Sequence, residues 1–391
     1  MGTQGASAEI IEKRASLLRA KRYAAARELE LSYLLENPLD ADMHYRAGWT
    51  AAALKDYDAA LEHYHKAAEI KPDKRTLRSL VSLVTRLGDT VAADAVIRAH
   101  GLNVSGEKEY LERELLFKQE CEATVQLVLD TVLPVWKHAG AGSSEPRFTE
   151  IFRKHQSDGD GEWIKYAPKP AAPGAIVDLE GIGRFVVGDP TQVLHKRISR
   201  GVPWELPNTI LLMELLSRCN PGVVALDVGA NVGALTVPMA KALSAGEVIA
   251  FEPLAANFSM LVENLKLNNI SNVKPLSLAC SSFAGRGTLM KPTVNNPGAT
   301  RLNTQQQGDT LVTTIDAVVL NRPVALMKMD IEGHEPLALK GAQETIRKSR
   351  PLILCELLSE SRDEIVGILS GYGYSRMRIF RSDWLFYPTE A

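Results

Sequence analysis

Val223-Val224-Ala225-Leu226-Asp227-Val228-Gly229-Ala230-Asn231-Val232-Gly233 is the stretch whose reading decides the fold. An apolar run carrying a single acid near its end reads as a strand covered on both faces. Gly229 permits a tight turn and a close backbone approach. A helix is expected to begin near Asn231, where unpaired amides favour a carboxylate. A second apolar strand, Val248-Ile249-Ala250-Phe251, also ends on an acid, Glu252. Open parallel sheets bind ligands beyond the carboxyl ends of their strands. Asp227 then suits an ammonium group, directly or through water. Glu252, 19 residues beyond Gly233, suits a pair of ribose hydroxyls.

The glycine spacing narrows the ligand. Gly229 and Gly233 are spaced Gly-x-x-x-Gly, so the dinucleotide fingerprint is absent, and no Gly-Lys-Ser/Thr follows to make a phosphate loop. Pyrophosphate ligands, and with them a nicotinamide oxidoreductase, are disfavoured. Ala279, Cys280 and Ser281 follow the third strand. A small residue and a hydroxyl suit an adenine edge, although serine is also common in ordinary turns. Lys328-Met329-Asp330-Ile331-Glu332-Gly333-His334-Glu335 ends the fourth strand and packs three acids and a histidine into six residues. Such density is costly unless it is exposed or functional. Glu332 or His334 could take a proton from a hydroxyl, and Glu335 reads equally as a first-turn helix acid. Asp330, Glu332 and His334 are ligand types for a divalent ion. No further ligand is evident, and no metal is expected.

Around this segment the chain alternates strands and helices. Apolar strands are expected near 176–179, 184–187, 223–228, 248–251, 273–279, 324–330 and 351–355, with amphipathic helices such as Asn257–Asn268 and Glu335–Lys348 between the later ones. This implies an α/β domain over 175–391, built on a mainly parallel sheet with helices on both faces. The tail, Tyr374–Ile379 and Trp384–Tyr387, reads as a hairpin that adds an antiparallel strand at the sheet edge.

Residues 1–138 read differently, as an all-α repeat domain. The unit 41–74 carries Gly48, Tyr57, Ala60, Tyr64, Ala67 and Pro72 at the offsets of a 34-residue tetratricopeptide repeat. Gly48 and Ala60 are small where two helices meet, Tyr57 and Tyr64 are wedges, and Pro72 ends the second helix. The unit 7–40 keeps Tyr23, Ala26 and Pro38, and Leu87-Gly88-Asp89 with Ala93 marks a third unit. Glu107 to His138 reads as a capping helix broken at Pro134. A generic helical hairpin array fits the same pattern. Residues 139–174, rich in Gly, Ser and Pro, read as a linker. Asp158-Gly159-Asp160-Gly161 within it lacks the spaced ligands of a calcium loop.

Bulk properties exclude several classes. The chain has 391 residues, a formal charge of −2 and 45% hydrophobic residues. It therefore has no basic field for nucleic acid. Residues 1–110 hold 16 basic and 16 acidic residues, so they form no basic arm. Nor does any run reach the roughly 18 apolar residues of a membrane span. Cys121, Cys219, Cys280 and Cys355 are far apart and lack zinc spacing. Free thiols and the absence of an apolar leader fit a cytoplasmic protein.

The chain resembles the FkbM family of S-adenosylmethionine-dependent methyltransferases. The resemblance rests on Pro203-Trp204-Glu205, Asp227 to Gly233, Ala250-Phe251-Glu252-Pro253, Asn257-Phe258, Asn264, Asn268, Lys328 to Gly333, Glu335, Leu339-Lys340-Gly341-Ala342 and Glu356, in order, across residues 176–391. It implies a seven-stranded, Rossmann-like class I methyltransferase sheet. It also implies S-adenosylmethionine held by Asp227, Gly229, Asn231, Gly233, Glu252 and Pro253, with Glu205 helping to close the site. Family activity is mostly O-methylation, which implies a hydroxyl-bearing acceptor such as a glycan or secondary metabolite. The family position of His334 is variable, which shifts weight to Asp330 and Glu332 as proton acceptors. The repeat array is expected to bind a protein partner, recruit the acceptor or mediate a homodimer. The competing reading is a repeat scaffold carrying a degenerate enzyme fold.

Overall fold

The computed structural model describes residues 8–54, 56–86, 105–140, 144–155, 169–189, 191–290, 300–305 and 308–389. The chain divides into two compact units, Met1–Leu116 and Phe117–Ala391. Among the described residues no helix is long and apolar enough to cross a membrane.

The first unit is helical: Ala8–Arg19, Tyr23–Glu36, Ala41–Ala53, Tyr57–Ile70 and Lys74–Arg86, joined by short turns. Aspartates start several of these helices, because a carboxylate satisfies amides that the first turn leaves unpaired. Asp40 accepts from the Met43 amide at 2.9 Å and Asp56 from the Ala59 amide at 3.2 Å. Gly48 lies where two helices meet; a β-carbon there would come within 2.8 Å of the Tyr64 ring. Ala47, Ala51, Ala60 and Ala67 are fully buried around this contact. A buried ion pair, Arg14–Glu30, is completed by Thr50, whose hydroxyl donates to Glu30 at 2.9 Å. The markers Leu87-Gly88-Asp89 and Ala93 lie outside the described residues, as do Asp158 to Gly161.

Among its described residues the second unit holds three sheets. β1 (Ile176–Leu179) and β2 (Gly183–Val186) form their own antiparallel pair. β3 (Val224–Val228), β4 (Glu247–Phe251), β5 (Val273–Leu276), β10 (Val324–Met329), β11 (Leu352–Glu356), β12 (Tyr374–Phe380) and β13 (Asp383–Pro388) form the main sheet. Its order is β12-β13-β11-β10-β3-β4-β5. β11, β10, β3, β4 and β5 are parallel, and β13 runs antiparallel to β11. This is a doubly wound α/β sheet closed at one edge by a hairpin. β6 (Ala279–Cys280), β7 (Gly285–Met290), β8 (Arg301–Asn303) and β9 (Thr310–Thr313) make a small sheet in the order β6-β9-β7-β8.

Every residue of β3 and β10 is buried, as central parallel strands covered on both faces require. The helix Leu206–Leu216 is buried along its whole length. It carries Glu214, paired with Arg218 at 2.6 Å. Glu214 also accepts from the Arg147 and Phe148 amides, each at 2.6 Å. Part of the stretch read as linker therefore packs here, including fully buried Phe152 on the helix Thr149–Lys154.

Four local expectations change. The helix after β3 starts at Thr236, not near Asn231. Asn231 (φ +51°) and Gly233 (φ +85°) lie in the left-handed region, which a right-handed helix does not admit. The strand expected over 273–279 is split between β5 and β6, and so between two sheets. The strands near 176–179 and 184–187 pair with each other outside the main sheet. The helix expected over Glu335–Lys348 is two helices, Glu335–Lys340 and Gln343–Ser349.

Candidate active site

The chain winds from β3 through β4 to β5 on one side, and continues through β10 and β11 on the other. The crevice at this switch point lies between β3 and β10. Register places Lys328 opposite Asp227 and Met329 opposite Val228. Beyond Val228 the chain turns back on itself, with the Gly229 and Ala230 amides donating to the Phe251 carbonyl at 3.0 and 2.9 Å. Gly229 has φ +91°, and a β-carbon on it would lie 2.0 Å from the Asp330 carbonyl oxygen. Only glycine lets the two strand ends close up in this way.

A cavity open to solvent lies at this end of the sheet. Gly229, Asn231, Glu252 and Pro253 line one part of it, and Ala279 and Cys280 lie beside them. Lys328, Asp330, Glu332 and His334 line the facing part. The fold thus gathers residues spread over a hundred positions into one space. Asp227, Gly233, Ser281 and Glu205 do not line it. Gly233 packs instead against Leu261.

Glu252 is held by two backbone amides, Asn231 to Oε2 and Leu254 to Oε1, each at 2.8 Å. Burial pushes its carboxyl up to about 7 against the pull of those amides. Each oxygen keeps lone-pair capacity for a further donor from the cavity.

Asp227 is fully buried. Thr236 donates to its Oδ2 at 2.6 Å, and Lys328 Nζ stands 3.5 Å from its Oδ1. The ammonium that Asp227 meets here belongs to the protein. Lys328 also donates to the Gly229 carbonyl at 3.1 Å and stands 3.8 Å from Asp330 Oδ2. Burial works against its charge, but Asp227, Asp330, Glu205 and Asp383 outweigh burial and raise its pKa. One lysine therefore ties the β3 turn to the β10 acids. Lys328 stood in the sequence as a charge inside an apolar strand, which is itself a sign of a buried partner.

Glu332 is half-buried on a left-handed backbone, φ +58°. Burial, then Asp330, Glu356 and Glu335, push it up to about 7. A carboxylate there can exchange protons near neutral pH. Glu335 is fully buried and accepts from the Ile331 amide at 2.8 Å, so it braces the loop between Asp330 and His334. His334 Nε2 lies 3.0 Å from the Ser281 hydroxyl, and burial lowers its pKa. It is therefore a neutral imidazole near neutral pH. Ser281 does not line the cavity and meets it through its contact with His334.

Sequence reasoning missed His195 and Gln192, which line the cavity from the segment before β3, Leu289 and Leu302 from the small sheet, and Thr300 just before β8. His195 Nδ1 accepts from the Gly188 amide at 3.2 Å, which places its hydrogen on Nε2. Among the described residues no group of three or more His, Cys, Asp or Glu is arranged to hold a metal ion.

Comparison with known proteins bears on this site. "Methyltransferase 1" of Beauveria bassiana is 26% identical over 186 residues, covering 41% of this chain and 74% of that protein. A solved FkbM methyltransferase from Methylobacillus flagellatus is 18% identical with a TM-score of 0.33; the match covers 46% of this chain and 52%, about half, of that one. A solved S-adenosylmethionine-dependent O-methyltransferase from Thermotoga maritima is 13% identical with a TM-score of 0.33, covering 49% and 67% of the two chains. Residues 227–376, which begin at Asp227 and span Glu252 and the Asp330–Glu335 cluster, match the family described as the methyltransferase FkbM domain. This chain carries a methyltransferase FkbM domain over residues 227–376.

Proposed function

We propose that the chain is an S-adenosylmethionine-dependent methyltransferase acting on a hydroxyl of a glycan or secondary metabolite. The observation that carries the reading is one cavity with two differently equipped walls. On one, Glu252 and the Gly229–Asn231 turn offer a carboxylate and a close backbone approach. On the other, Asp330, Glu332 and His334 offer proton acceptors. The donor set suits the cofactor: Glu252 has free lone pairs for ribose hydroxyls, Pro253 lies beside it, and Ala279 and Cys280 leave room for a flat base. Gly233 shapes the turn from behind, while Asp227 acts through Lys328.

When bound, the cofactor supplies a methyl group already activated on a sulfonium. The chain's own task is to orient the acceptor, exclude water and take a proton. Glu332 and Asp330 are the carboxylates placed for the proton. His334, kept neutral by burial and turned by Ser281, is the other acceptor. Glu205 does not line the cavity but feels the charges of Asp330 and Lys328.

The free thiols of Cys121, Cys219, Cys280 and Cys355 fit a cytoplasmic protein. The helical hairpins of the first unit fit a tetratricopeptide-like array that recruits a protein partner or acceptor, or a second copy of the chain. A screen of labelled methyl transfer to sugars, glycolipid precursors and small natural products tests the function. The expected result is label on a hydroxyl-bearing acceptor. Binding of S-adenosylmethionine without transfer to any class would contradict it.

A further inference from the structure

We propose that Glu205, Asp383 and Asn208 form a subsite for a primary ammonium group on the acceptor side of the crevice. The three residues come from distant parts of the sequence. Glu205 precedes the helix Leu206–Leu216, Asn208 lies in its first turn, and Asp383 opens β13. Asp383 pairs in register with Glu356 at the carboxyl end of β11, next to β10. The group therefore lies on the β10–β11–β13 half of the sheet, away from Glu252 and the β4 end.

Asn208 is 1% exposed. Its Nδ2 donates to Glu205 Oε2 at 3.1 Å, and the same side chain lies near enough to the Asp383 carboxylate to lower its pKa. Its Oδ1 is enclosed and has no donor among the described residues. An orphaned buried carbonyl of this kind is costly. Glu205 is held at φ +42°, a conformation that a non-glycine residue adopts only under constraint. Two carboxylates and one unsatisfied carbonyl together offer three acceptors, and a primary ammonium carries three donors. Among the described residues, Lys328 is the cation that acts on both carboxylates, and it is already shared between Asp227, the Gly229 carbonyl and Asp330. Burial first, then the charges of Asp383 and Asp330, pushes Glu205 up to about 8; burial, then Asp330 and Glu356 against the pull of Asn208, pushes Asp383 up to about 7. A second cation beside the pair would relieve the cost of burying their charges.

The ammonium has two possible sources. The position on the β10–β11–β13 half favours an amine on the acceptor; the alternative is the amino-acid part of the cofactor. Both sources rest on the methyltransferase reading; a glucosamine preference measured without cofactor does not. The variant Glu205→Gln/Asp383→Asn keeps shape and removes both charges. It should fold as the parent does, checked by its melting point, with relieved repulsion offsetting the lost attraction to Lys328.

Titration calorimetry on the full chain separates the cases. In the first arm, glucosamine and glucose are titrated into the parent and the variant, with and without S-adenosylhomocysteine. An acceptor amine predicts at least tenfold tighter binding of glucosamine than glucose, with that preference lost in the variant. In the second arm, S-adenosylhomocysteine and 5′-methylthioadenosine, which lacks the amino-acid part, are compared. A cofactor amine predicts at least tenfold weaker S-adenosylhomocysteine binding in the variant and unchanged 5′-methylthioadenosine binding. The proposal is overturned if the variant changes neither preference, or weakens the ligands with and without an amine alike. Failure of the parent to bind any adenosyl ligand sinks the methyltransferase reading, and the glucosamine arm without cofactor then decides the subsite alone.

Discussion

Replacing Lys328 by methionine should unfold the site from its centre. The ammonium stands 3.5 Å from Asp227 and 3.8 Å from Asp330. At an effective dielectric of about 20 these separations give gross attractions of ~5 and ~4 kcal/mol. Desolvation of the lysine offsets much of this, so the gross figures do not measure net stability. Removing one partner of a buried pair costs about 3–5 kcal/mol, because the other charge is left uncompensated. Asp227 is fully buried and cannot turn to water, whereas half-buried Asp330 can. A domain of this size loses roughly 2–4 °C per kcal/mol, so the melting point should fall by about 6–20 °C. Urea denaturation at pH 7 measures the free energy directly. The double variant Lys328→Met/Asp227→Asn removes both charges while the Asn oxygen can still accept from Thr236. It should recover most of the loss. A single-variant cost below about 1 kcal/mol, or a double variant no more stable than the single, would refute the central role of this pair.

Further outcomes follow from the same geometry. Glu252→Ala removes an acceptor for two hydroxyls; hydrogen bonds to a charged group are each worth about 1.5–3 kcal/mol. S-adenosylmethionine affinity by calorimetry should therefore drop at least ~100-fold, and a change under about threefold would remove Glu252 from the pocket. Glu332→Gln should leave that affinity nearly intact and slow methyl transfer by roughly 10²–10⁴, measured with an acceptor found by the labelled-methyl screen; equal losses in both would make Glu332 a binding residue. If Glu332 takes the proton, the rate should rise with pH through about 7, the value to which burial raises it; a flat profile from pH 6 to 8 would exclude it. Glu252 and Glu335 are also raised to about 7 by burial. Between the ordinary carboxylate range and pH 7 the folded state binds more protons than the unfolded one. Stability without ligand should therefore be greatest near pH 4.5 from these groups and fall as pH rises through 7. Melting points that increase over that window would contradict the burial of these acids.

The architecture was legible because its signals are local. Val224 to Val228 is uniformly apolar apart from Asp227, and buried parallel strands need that composition. Alternation with helices gave the doubly wound sheet, and the tail pattern gave the edge hairpin. β7, β8 and β9 were not legible, because they are short, only Gly287 and Val312 in them are buried, and so they carry little apolar periodicity. The helix start was misplaced because left-handed Asn231 carries no side-chain signature beyond a general tolerance of asparagine for that region. The cavity's proposed acids could be read from strand ends, but their partners could not. His334 meets Ser281 across 53 positions, and Asp227 meets Lys328 across 101. Such pairings are set by sheet order and register, which no single segment encodes. Asp383 and Asn208 looked like ordinary polar residues until the fold placed them beside Glu205.

The most direct test of the central claim is calorimetric titration of S-adenosylmethionine into the purified full chain at neutral pH. The account predicts saturable binding at one site per chain, competed by S-adenosylhomocysteine and lost in Glu252→Ala. No heat of binding at millimolar ligand, or binding that Glu252→Ala leaves unchanged, would contradict it.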